Sequence, residues 1–111
     1  MYYSDKVTMV QKVAKEDASG APILDDIGNP KYDETTTTVW ADITSPSRAE
    51  VRAEGERGLK PAAVVRVHKT DYKGQTSLEI AGQRMDVYRT FHRGEDVELY
   101  VEEKRGDSRG N

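Results

Sequence analysis

The chain of 111 residues contains no cysteine, which excludes disulfide staples, zinc ribbons and thiolate metal sites, and with them the small disulfide-stapled secreted domain. Long hydrophobic runs are also missing. No window approaches the roughly 20 apolar residues of a membrane-spanning helix, and the opening MYYSDKVTMVQK has no basic leader followed by an apolar stretch. The expectation is a soluble, unprocessed protein with no membrane partner. Apolar residues make up only 35% of the chain against 33% charged, with a mean hydropathy of −0.82, so the core must be thin and partner surfaces could add to its stability.

A surplus of one charge sign is lacking as well. Net charge is −3, from 17 basic and 20 acidic residues, and the deficit lies wholly in residues 1–60, with 8 basic and 11 acidic side chains, because residues 61–111 hold 9 of each. Phosphate neutralisation needs a clustered Lys/Arg face, and the signs here are mixed almost throughout, which argues against DNA binding as the main activity. Motifs that carry chemistry are absent too. His68 and His92 stand alone, without metal-ligand spacing. Asp25 and Asp26 lie beside Gly28 but do not complete a calcium-loop pattern. No glycine-rich phosphate cradle occurs, and no nucleophile, base and orienting partner can be assembled. The RGD at residues 105–107 carries no weight in a chain without an export signal. The expectation is a protein that is not an enzyme and that uses no cofactor and no metal.

What is present is β-forming. Residues 6–14 offer Val7, Met9, Val10 and Val13, followed by a polar, glycine-bearing loop. Residues 23–32 contain Gly28, Asn29 and Pro30, which suit a tight turn within a long connection. Residues 35–44, TTTTVWADIT, favour extended structure through β-branching and aromatic packing. Alternation places Val39, Ala41 and Ile43 toward the core, and Trp40 is expected to cover a second apolar surface. Residues 62–70 read as a strand containing Val65 and Val67. A short extended SLEI follows at residues 77–80, and Gly82 marks a turn. RMDVYRTF then sets Met85, Val87, Arg89 and Phe91 on one face, and a turn at residues 92–95 leads to DVELYVE. There Val97, Leu99 and Val101 face one way and Glu98, Tyr100 and Glu102 the other. The candidate core is therefore Val39, Trp40, Ile43, Val65, Val67, Val87, Val97, Leu99 and Val101.

One short helix is expected between strands, after the third or so. Ser47 followed by Glu50 fits the capping box, in which hydroxyl and carboxylate each satisfy a free backbone N–H, and Pro46 suits the entry. Gly55 weakens the interior and Gly58 can close the helix in the left-handed region. Ala49, Val51 and Ala53 make no broad apolar stripe, so this helix is expected to be mobile or docked on a partner. Its charges, Arg48, Arg52 and Arg57 among Glu50, Glu54 and Glu56, are compatible with a solvated face or with a subunit contact whose register they set. The fold expected is mostly β, a small antiparallel barrel of about six strands with one short helix. It forms a single domain over residues 1–104, with a fraying tail at residues 105–111 and no visible internal repeat.

The order of these elements resembles the head-closure proteins of tailed bacteriophages, also called head-tail adaptor, head-completion or stopper proteins. The resemblance is carried by VWADITSPSRAEVRAEG at residues 39–55, AAVVRVHKT at 62–70, IAGQRMDV at 80–87 and EDVELYVEE at 95–103. It departs at Met85, where the family's hairpin has an aromatic such as tyrosine, with Tyr88 nearby. What it implies is a β-barrel that self-associates into a ring of about twelve copies, in the neck of a virion assembled in the host cytoplasm. The ring sits beneath the portal and adaptor ring proteins and above the tail proteins. A loop then closes the channel on packaged DNA. The candidates are residues 45–61, favoured for their weak helix and glycines, and residues 18–33. Ser47, Arg48, Glu50, Arg52, Glu54, Glu56 and Arg57 are the candidate channel or subunit-contact residues, and the acidic bias of the first part of the chain suits a wall that repels DNA. A tail-terminator or other neck protein is the alternative reading, and a barrel that binds a peptide or oligosaccharide a further one.

Overall fold

The computed structural model describes residues 4–103, so the expected tail at residues 105–111 lies outside the described residues. The alternating segments form six strands: β1 (Asp5–Ala14), β2 (Tyr32–Thr44), β3 (Pro61–His68), β4 (Ser77–Ile80), β5 (Gln83–Arg93) and β6 (Asp96–Glu103). One helix, α1 (Arg48–Gly55), joins β2 to β3, so it follows the second strand and not the third. A single 3-10 turn, Lys69–Asp71, ends the run that sequence alone extends as strand. All neighbouring strands are antiparallel and close a barrel in the order β1-β2-β3-β6-β5-β4. Closure leaves no edge within the wall, which is how a small sheet of mostly polar composition protects its backbone.

Period-two alternation fills the interior. Val97, Leu99 and Val101 of β6, and Val65 and Val67 of β3, are fully buried, with Val39, Val7, Met9, Leu78 and Met85 completing the cluster. Ile43 and Val87 pack against its margin. Met85, the position of the family departure, sits opposite Leu78 in a regular β4–β5 register and is buried as an apolar residue. The hairpin turns on Ala81 and Gly82, both at positive φ (52° and 84°). That is the geometry of a type I′ turn, which glycine tolerates and alanine does not favour.

Trp40 does not join the core. It is 54% exposed on the outer barrel face, where its cross-strand neighbour Lys6 places Nζ 4.8 Å from the ring centroid. Among the described residues no second layer covers β2 at this point, and the ring is held by a cation–π contact and not by apolar burial. The expected shared face of Met85, Val87, Arg89 and Phe91 is also broken. A β-bulge between Val87 and Arg89 shifts the register, so Phe91 pairs with outward-facing Glu98 and is 51% exposed.

The β1–β2 hairpin is longer than the barrel. Although the two strands pair over ten positions, β1 meets β4 only at residues 8–10 and β2 meets β3 only at residues 42–44. Residues 11–38 therefore leave the barrel as an arm, in which Lys15, Ile23 and Asp25 are partly covered and the rest exposed, Val13 among them. The connection expected to hold one tight turn holds two. Asp17 Oδ1 accepts from the Ser19 and Ala21 amides, and Asp25 Oδ1 accepts from the Ile27 and Asn29 amides. Asp-x-x-Gly thus occurs twice, eight residues apart, and both copies fold into the same Asp-closed turn. Three backbone bonds tie the tip into a cloverleaf, from Lys15 N–H to Lys31 O, Ile23 N–H to Lys15 O and Lys31 N–H to Ile23 O. Arg84 of β5 binds Glu34 at 3.2 Å and Glu79 at 3.2 Å, which holds the root of the arm to the barrel wall.

Because Leu99 is fully enclosed, Leu99→Ala is expected to cost about 2–5 kcal/mol. Trp40→Ala should cost under about 1 kcal/mol, the worth of an exposed cation–π contact. Chemical denaturation of both variants measures this; a Trp40 variant as damaged as the Leu99 variant would show that the ring is buried in solution.

Candidate functional site

Helix α1 begins as its sequence requires. Ser47 is extended (φ −70°, ψ 162°) and its Oγ accepts from the Glu50 amide at 3.0 Å, which satisfies one of the free N–H groups of the first turn. The reciprocal half of the capping box is absent, because the Glu50 carboxylate turns instead to the barrel. At the other end, Leu59 N–H bonds Glu54 O and Gly58 N–H bonds Gly55 O, with Gly58 at φ 86°. This is the Schellman closure that a glycine permits.

The face that α1 presents to the barrel is acidic. Ala49, Val51 and Ala53 are exposed, Glu50 is partly covered and Glu54 is buried. The Glu50 carboxylate accepts from the Tyr88 hydroxyl at 2.7 Å and from the Arg89 guanidinium. Consecutive residues of a regular strand point to opposite faces, yet Tyr88 and Arg89 address one carboxylate because the β-bulge opposes two residues to one. Arg89 also lies 4.1 Å from the Tyr100 ring centroid, and the Tyr88 and Tyr100 rings stand 6.4 Å apart. The Tyr100 hydroxyl bonds Glu98, which is only 6% exposed and is held by Arg66 at 2.6 Å and Arg93 at 3.4 Å. A continuous polar network therefore runs from the helix across the outer faces of β5, β6 and β3.

Electrostatics follow from this geometry. Partial burial opposes ionisation of Glu50, but the hydrogen bonds from Tyr88 and Arg89 and the Arg89 charge outweigh it, so the carboxyl titrates below the usual glutamate range. The same carboxylate, added to burial, pushes the Tyr88 hydroxyl far up. For Glu98 the cost of burial is likewise outweighed, chiefly by the bond from Arg66, and its carboxyl is also lowered.

The candidate residues thus fall into two groups. Glu50 and Glu54 face the barrel, Glu54 with Arg57 at 3.3 Å, while Arg48, Arg52 and Glu56 point to solvent. An acidic wall built from Glu50, Glu54 and Glu56 is not what the helix displays. Two of those carboxylates are consumed inside the subunit, and the outward charges are mainly cationic. The helix expected to be mobile or seated on a partner is docked on its own barrel. Tyr88, Arg89, Tyr100, Glu98 and Arg66 were not marked by the sequence pattern, since the bulge that gathers them breaks the alternation and leaves no local signal. Among the described residues, no three His, Asp or Glu side chains cluster closely enough to hold a metal ion, and no helix is long and apolar enough to cross a membrane. No protein-family model matches the chain, and no curated protein matches it.

Because the Glu50 pKa is lower in the folded protein than in the unfolded chain, the anchor contributes fully above the ordinary glutamate range and is lost as pH falls through the lowered value. Glu50→Gln should remove that acid-side step and cost about 1–3 kcal/mol at neutral pH. Near-ultraviolet circular dichroism of the tyrosines during an acid titration reads both; equal stability of the two proteins at neutral pH would show that the carboxylate does not anchor the helix.

Proposed function

We propose that this protein is a structural head-completion subunit of the phage head-to-tail connector. It forms a ring below the portal and adaptor, closes the DNA channel after packaging and offers the tail its docking surface. The reading rests on the family resemblance, and the closed six-stranded barrel is compatible with it. The observation that carries it is the way residues 45–61 are attached: a helix at one end of a closed barrel, held through the Glu50 carboxylate by the Tyr88 hydroxyl and the Arg89 guanidinium, with Ala49, Val51 and Ala53 left exposed. An element buried by hydrophobic contact would resist displacement, whereas one held mainly through Glu50 can exchange those bonds for water or for partner groups at small net cost. Such an element suits a closure that sits against its own subunit in one state and moves into the channel in another. The outward Arg48 and Arg52 would meet DNA phosphates as cations, so closure by this segment would grip the DNA end and not merely let it slide.

Electron microscopy of the purified protein mixed with a portal–adaptor complex tests the assignment. The expected result is a ring added beneath the adaptor. Density on the ends of isolated tail tubes, with none on the portal complex, would assign the protein as a tail terminator instead.

A further inference from the structure

The arm, which contains the second candidate closure segment at residues 18–33, has no part in a closure made by residues 45–61. A two-stranded ribbon is marginal when isolated in water, yet residues 11–38 project with both faces open. Its tip carries the most exposed large hydrophobic side chain among the described residues, Ile27, at 82%, with Leu24 nearby at 51%. The turn that presents Ile27 is fixed by Asp25. Charge is concentrated here as well. Residues 11–38 hold three lysines and six acidic residues, so the whole net charge of −3 resides on the arm and the remainder of the chain is balanced.

At the opposite end of the barrel, where α1 joins β2 to β3, lies a shallow groove of about 390 Å³ lined by Val51, Gly55, Gly58, Leu59, Lys60 and Pro61. Two of the lining residues are glycines, so no side chain fills the groove there, and Val51 is 45% exposed. The outward charges around it are mainly cationic, Lys60 in its wall and Arg48 and Arg52 on the helix against the exposed carboxylate of Glu56, since Glu50 is bound to the barrel and Glu54 is buried and paired with Arg57.

We infer that the arm tip of one copy docks in this groove of a second copy, Ile27 entering between Val51 and Leu59 while Asp25 and Asp26 face Lys60 and Arg52. An apolar knob with acidic flanks meets an apolar slot with basic flanks, which supplies contact area and a charge pattern that rejects the reverse pairing. The two surfaces lie at opposite ends of one subunit, so the contact is heterologous: each copy gives a tip and receives one, and repetition runs around a ring or along a filament. Closure into a ring rests on the head-completion reading; the contact itself does not. It also places one subunit's arm beside the segment that its neighbour would move.

The test uses the full chain, with Ile27→Asp removing the knob and Val51→Asp spoiling the slot. Both positions are exposed, so thermal melts should match the wild type, and amide resonances report folding. In a dilution series up to about 1 mM, the range of weak association, wild-type resonances should shift at the tip and at the groove together. Each variant alone should stay monomeric by sedimentation. An equimolar mixture should give a dimer that grows no further, because only one tip and one slot remain. Self-association that persists in either variant overturns the contact, as does a dilution series that moves neither region. Shifts confined to the tip, appearing only with the portal–adaptor complex, would give the arm a different protein partner. If Ile27→Asp still forms rings on the portal complex, the contact is wrong and head completion stands; if the wild type forms none, head completion is wrong whatever the dilution series shows.

Discussion

Two short seams, each of three residue pairs, hold the β1–β2 hairpin in the barrel wall: residues 8–10 against β4 and residues 42–44 against β3. The rest of the architecture depends on them. Within reach of the seams, every second residue of the hairpin has an opposing wall to bury against, and Val7, Met9, Val39 and Ala41 are apolar. Past them no opposing wall exists, and the same strands carry threonines and charges. Projection of the arm is thus a consequence of where pairing stops. The 480 Å³ cleft between β1 and β5, lined by Gln75, Ser77 and Asp86 among others, is where β4 ends and the seam with it.

A second constraint is the inversion of polarity at α1. Helices usually dock through an apolar stripe, but this one turns Glu50 and Glu54 inward and leaves Val51 outside. The barrel accommodates this because on its outer face Arg66 and Arg93 already hold Glu98, which leaves Arg89, stacked on Tyr100, to pair with Glu50. The β-bulge supplies the geometry, and the Arg89 guanidinium with the Tyr88 hydroxyl supplies the attraction. Attachment of this kind depends on pH and on competing ligands in a way that the core of Val65, Leu99 and Val101 does not.

Much of the barrel was legible from residue order alone because its determinants are local. Alternation in β6 marks Val97, Leu99 and Val101, the hydroxyl of Ser47 marks the helix start, and Gly58 marks its end. The features that residue order does not encode depend on which elements end up facing one another. Trp40 reads as a covered ring in the sequence, but only the fold reveals that no described residue forms a second layer over its face. Phe91 changed face because a bulge, which leaves no local signal, intervenes upstream. Glu50 fits a local capping role equally well, and its choice of Tyr88 and Arg89 is decided by a strand 38 residues away. The doubled turn at Asp17 and Asp25 consists of common turn residues, so its regularity emerges only from the backbone bonds that close the cloverleaf.

The arm also bears on how such a chain can vary. Its strands repeat every two residues and touch the barrel at the seams and, at the root of the arm, through the Arg84–Glu34 pair. Paired insertions or deletions beyond residues 12 and 34 would therefore lengthen or shorten the reach of the tip by fixed steps of strand rise and leave the inward and outward faces of the wall unchanged. A single-residue insertion inside either seam would turn the hairpin inside out. The molecule thus separates a part whose length is free to drift from one whose register is not, and spacing between neighbouring molecules could be retuned without redesigning the core.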